Sequence, residues 1–74
     1  PVTDILNVEY YFVTQDNIEI SIFDANGLKV RDWFFPPGPA ASRALNIKDL
    51  APGVYAIRII SGYGNPITER IIKH

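Results

Sequence analysis

Asp49-Leu50-Ala51-Pro52-Gly53-Val54-Tyr55 decides how this chain is read. Ala51-Pro52-Gly53 is a turn, because proline fixes φ and glycine adopts conformations that other residues avoid. Val54-Tyr55-Ala56-Ile57-Arg58-Ile59-Ile60 follows at once, and it is the most hydrophobic and most β-prone run of the sequence. A leucine before a Pro-Gly turn, then a tyrosine entering a strand, is the pattern of the corner in Greek-key sandwiches. There the Tyr ring packs on the core while its hydroxyl ties back to an upstream backbone group. The remaining segments read as strands that pair with, or pack on, the strand that starts at Val54.

Working outward, Asp4 to Phe12 alternates with Leu6, Val8, Tyr10 and Phe12 on one face, which makes that the core face. Thr14-Gln15-Asp16-Asn17 is a polar turn. In the strand from Asn17 to Asp24, Ile18, Ile20 and Ile22 alternate with Glu19 and Ser21, so the isoleucines point inward. Asp24-Ala25-Asn26-Gly27 follows, and Asn-Gly between two β runs is the strongest short-range hairpin signal. Gly27 is expected to take the left-handed position that closes the turn. The return strand from Leu28 to about Phe35 should put Leu28 and Val30 inward and Lys29 and Arg31 outward. Pro36-Pro37-Gly38-Pro39 ends it and opens a loop to about Ser42.

Arg43 to Ile47 is a short strand with Leu45 and Ile47 inward, and Lys48-Asp49-Leu50 is one helical turn that drops Leu50 onto the core. Ser61-Gly62-Tyr63-Gly64-Asn65 is a glycine turn before the last strand, Ile67 to His74. The inward face of that strand is open, because Ile71 and Ile72 are adjacent and point oppositely. Short strands at about ten-residue spacing, with turn signals between them, predict an all-β fold. The expected form is a small immunoglobulin-like antiparallel β-sandwich of about six to seven strands, with Greek-key-like connections.

Composition limits the function classes. Seventy-four residues, 47% of them hydrophobic, make one folded domain over 1–74. The chain opens on Pro1 and has no methionine, which reads as a piece of a longer protein. Cysteine is absent, so disulfides and thiolate zinc sites are excluded. No apolar run reaches the length of a membrane helix. A net charge of −1 argues against a nucleic-acid surface. The charges are unevenly spread, however. Residues 1–26 hold five acidic and no basic residues, whereas residues 27–74 hold all seven basic ones. Either the two ends steer a partner, or the charges solvate outward faces and pair across strands.

We find no catalytic constellation. The single histidine, His74, sits at the C-terminus, where chains fray. Asp24-Ala25-Asn26-Gly27 resembles the start of a calcium loop but lacks the later ligands, so the hairpin reading is preferred. No metal, cofactor-binding or catalytic residue is expected. Trp33-Phe34-Phe35 either caps the open end of the core, through Trp33 or Phe34, or forms an exposed platform for a sugar or a partner groove.

Taken in order, these segments resemble the C-terminal sorting domain, type A, of cargo of the type IX secretion system of Bacteroidota. Pro1-Val2-Thr3-Asp4-Ile5-Leu6 is similar to the end of that family's opening motif. Ile20 to Val30 is similar to its Asp-x-x-Gly hairpin. Leu45-Asn46-Ile47-Lys48-Asp49-Leu50-Ala51-Pro52-Gly53-Val54-Tyr55 is similar to its Leu-x-x-Gly-x-Tyr signature, and Ile71-Ile72-Lys73-His74 to its tail. Two departures stand out: the aromatic, proline-rich stretch from Phe34 to Pro39, and Glu69-Arg70 where a basic pair is common.

The resemblance implies a non-catalytic secretion signal that directs a longer secreted cargo through the outer membrane. It is then usually cleaved and replaced by a surface lipopolysaccharide anchor. The implied partners are the outer-membrane translocon, the shuttle protein and the sortase, and the implied route runs through the periplasm to the cell surface or beyond. The implied recognition residues are Gly53, Tyr55, Ile71, Ile72 and Lys73. Pro1, Asp4, Asp24, Gly27 and Leu50 belong to the motifs and are expected to be structural. The last strand can exchange between copies to give a swapped homodimer. The competing reading is a fibronectin-like or carbohydrate-binding accessory module.

Overall fold

The computed structural model describes residues 4–10, 17–36, 41–61 and 66–74. Six strands are present: β1 (Ile5–Tyr10), β2 (Ile18–Phe23), β3 (Lys29–Phe35), β4 (Ala41–Asn46), β5 (Gly53–Ser61) and β6 (Ile67–Lys73). β1 pairs with β4, and a second sheet runs in the order β3-β2-β5-β6, every pair antiparallel. The chain changes sheet after β1, after β3 and after β4. The result is the all-β sandwich that the strand spacing predicts. Pro1, Tyr11, Phe12, the turn at 14–16, most of the proline loop and the Gly62–Asn65 turn lie outside the described residues.

The core forms between the two sheets. β2 lies between β3 and β5, so Ile18, Ile20 and Ile22 are wholly buried. Leu6 and Val8 of β1, with Leu45, Ile47 and Leu50, face them from the other layer. Tyr55, Ile57 and Ile59 of β5 complete the cluster, and Val30, Trp33, Phe35 and Ile71 pack against its margins. At one margin the Arg43 guanidinium of β4 lies 4.3 Å from the Phe35 ring centroid of β3, a cation–π contact that ties one sheet to the other.

The alternation fails at the start of β3. Leu28, expected inward, is 66% exposed. It belongs to the turn, where its N–H is taken by the Asp24 carboxylate. A bulge at Ile22/Phe23 then lets Lys29 oppose Phe23 and Arg31 oppose Ile22, which leaves Val30 as the extra residue. Ser21 keeps the outward face that the alternation assigns it, and it is nevertheless completely buried. Arg58 stands opposite it in register and lays its guanidinium over the Phe23 ring, 4.6 Å from the centroid, which covers that part of the outer face. In the aromatic run, Trp33 and Phe35 pack on the core and only Phe34 stands out at 65% exposure, so the cap is Trp33 and not Phe34.

The uneven charge of the sequence does not survive folding as two charged ends. β1 pairs with β4, and β2 lies between β3 and β5, so each strand of the acidic half adjoins strands of the basic half. Lys29 shows the effect directly, with its ammonium 3.2 Å from Glu19 and 3.8 Å from Asp32. Exposed pairs of this kind stabilise by less than about 1 kcal/mol.

Candidate functional site: the corner and the tail

The approach to the corner is held by local hydrogen bonds. The Ile47 N–H donates to the Asp4 carbonyl at 2.8 Å, which anchors the end of β4 to the start of β1. The Asn46 side-chain oxygen accepts from the Lys48 N–H at 2.9 Å. The Leu50 N–H reaches back to the Ile47 carbonyl at 3.0 Å, and this single tight turn buries Leu50. The expected helical turn is replaced by a single hydrogen-bonded turn, which drops Leu50 onto the core all the same.

The corner itself is closed by Tyr55. Its ring is buried and its hydroxyl donates to the Ala51 carbonyl at 2.5 Å. The phenol spans the Pro-Gly turn and returns to the backbone four residues upstream, as the sequence predicts. Gly53 has φ +158°, and a Cβ built there would meet nothing nearer than the Tyr55 ring at 4.0 Å. Space is therefore not what calls for glycine at 53; backbone conformation is.

The hairpin motif is built around Asp24. Its carboxylate accepts from the N–H groups of Asn26 at 2.9 Å and Leu28 at 3.0 Å. The Gly27 N–H donates to the Asp24 carbonyl at 3.0 Å, and Gly27 takes φ +83°. Asp24 thus holds the turn, and the left-handed glycine closes it.

The two groups of expected recognition residues come together. Gly53 opposes Lys73, Val54 opposes Ile72 and Tyr55 opposes Ile71 across the β5–β6 pair. Accessibility divides the tail and settles the inward face that the sequence leaves open. Ile72 is 44% exposed on the outer face, Ile71 is half-buried against the core, and Lys73 is buried. Among the described residues the Lys73 ammonium reaches only the His74 carbonyl, at 3.5 Å. Sequence reasoning missed the outer face of the larger sheet. There Val54, Ile72 and Phe34 are exposed, and a shallow groove runs between Asp24 and Ala25 of the hairpin and Thr68 and Arg70 of β6. Its signal was the even-numbered set in β5 and β6, which strand register alone brings together.

The sandwich thus aligns its signature corner with its own C-terminal strand. The family model for the secretion system C-terminal sorting domain matches residues 1–74, and the chain belongs to that family, the sorting domains of type IX secretion. No curated protein and no solved structure matches it. The family makes the domain a type IX sorting signal, directed to export toward the cell surface or the extracellular space through the secretion machinery. No helix among the described residues is long and apolar enough to cross a membrane.

Proposed function

We propose that residues 1–74 form a single non-catalytic sorting domain at the end of a longer secreted protein of a Bacteroidota bacterium. The cargo enters the periplasm by the general secretory route. The domain then presents it to the outer-membrane translocon and the shuttle protein, and a surface sortase removes the domain and joins the cargo to lipopolysaccharide. The reading is carried by the register that sets Gly53, Val54 and Tyr55 against Lys73, Ile72 and Ile71, since it offers corner and tail as one surface. Within that surface Ile72 is the direct contact. Gly53, Tyr55, Ile71 and Lys73 hold its shape. Exchange of β6 between copies, which preserves its pairing with β5, gives a swapped dimer at high concentration.

A fluorescent reporter fused ahead of residues 1–74, in a host with type IX secretion, tests the reading. The reporter should reach the surface or the medium. Its retention in the periplasm, with the host's own cargo exported normally, overturns the proposal.

A further inference from the structure

β6 ends its sheet, and its one partner among the described residues is β5. Its far side, unpaired among the described residues, offers a row of backbone donors and acceptors to another strand. Register fixes the faces. Thr68, Arg70 and Ile72 share the outer face with their β5 partners, whereas Glu69 and Ile71 share the core face with Ile57 and Tyr55. Glu69 and Arg70 are both exposed, and neither has an ion pair among the described residues.

A second copy of this chain fits the edge poorly. Two-fold antiparallel pairing keeps each face continuous, so the symmetric register must be centred on a residue. Full overlap is centred on Arg70 and sets it against its own copy. A slip toward the N-terminus does the same to Glu69, and like charges directly opposite destabilise a pair. A slip the other way sets Arg70 against Ile72 and leaves Glu69 facing Lys73, which is buried. Glu69, a charge on the core face of an edge strand, also discourages indiscriminate pairing.

A different strand can satisfy both charges at once. Running antiparallel to β6, its residues opposite Ile72, Ile71, Arg70, Glu69 and Thr68 would read apolar, apolar, acidic, basic, polar. We propose that the free edge of β6 is a docking site for an extended segment of another protein with that pattern, selected by the acidic residue against Arg70 and the basic residue against Glu69. The proposal goes beyond the export reading, because it rests only on the edge and on two charges unpaired among the described residues.

Two synthetic peptides of identical composition test it, Thr-Val-Val-Asp-Lys-Thr-Val-Thr and the same peptide with Asp and Lys exchanged. Each is titrated into the 74-residue chain and followed by amide NMR. The first should shift and protect β6 amides and bind about tenfold more tightly than the second. In the double variant Glu69→Arg with Arg70→Glu, both at exposed positions, the preference should reverse. Equal binding of the two peptides, no binding of either at millimolar concentration, or an unchanged preference in a folded double variant overturns the proposal. The comparison of peptides on the unaltered chain needs no variant. It is made in solution without secretion, so its failure leaves the export assay untouched.

Discussion

Tyr55 stands directly opposite Ile71, so the ring that closes the corner and the isoleucine by which the tail reaches the core form one cross-strand pair. The corner is thus stabilised from two sides, by its own hydrogen bond to Ala51 and by the packing of the C-terminal strand.

Tyr55→Phe separates these contributions. It keeps the ring and removes the hydroxyl that reaches Ala51. The expected loss is about 0.5–1.5 kcal/mol, the usual net value of one hydrogen bond. Chemical denaturation measures it, and an unchanged midpoint would show that the hydroxyl contributes nothing to the fold.

Ile71 and Ile72 are neighbours with opposite duties. Ile71→Ala should cost about 1–2 kcal/mol, below the 2–5 kcal/mol typical of a fully buried site, because Ile71 is half-buried. Ile72→Ser, at an exposed position, should stay within about 0.5 kcal/mol. On the proposed function Ile72→Ser nevertheless lowers export of the reporter. Normal export of that variant would remove Ile72 from the recognised surface.

Gly27 has φ +83°, a left-handed conformation in which a β-carbon is disfavoured. Gly27→Ala should destabilise by about 1–2 kcal/mol, and Gly27→Asn by less, since asparagine tolerates that region better. The surrounding space is open, with nothing within 4 Å of a built Cβ. Equal losses for the two variants would place the cost somewhere other than backbone conformation.

Arg58 carries a buried Nε without a hydrogen-bond partner among the described residues, while its guanidinium lies over Phe23. An unmet donor costs about 1–3 kcal/mol, and a half-buried cation–π contact returns about 0.5–2 kcal/mol. Arg58→Met keeps the stem and adds a sulfur that also favours the ring. The variant should be as stable as the unaltered chain or more so. A thermal midpoint lowered by several degrees would show that the guanidinium is a net support.

What could be read from the sequence is what local chemistry decides. Asp24 to Gly27 and Leu50 to Tyr55 are closed by bonds between residues at most four apart, so their composition suffices to place them. The buried face of β2 is similarly plain, because three isoleucines alternate without a break. Leu28 was misjudged because strand alternation was extended into a turn that Asp24 controls. The burial of Ser21 on its outward face has no local signal, because its cover comes from Arg58, distant in sequence and placed by β5 pairing. The faces of β6 could not be chosen from Ile71 and Ile72 alone; the pairing of Tyr55 with Ile71 chooses them. The non-local pairing of β1 with β4 has no local signature at all.

The alternation along β6 has one more consequence. In the folded domain Ile72 is at the surface while Lys73 is buried and Ile71 is half-hidden. An unfolded chain displays all three as one continuous apolar and basic tail. A receptor fitted to the folded form therefore meets its surface only after β6 has docked on β5. The end of the chain then acts as a certificate of completed folding, issued by the strand whose docking it reports.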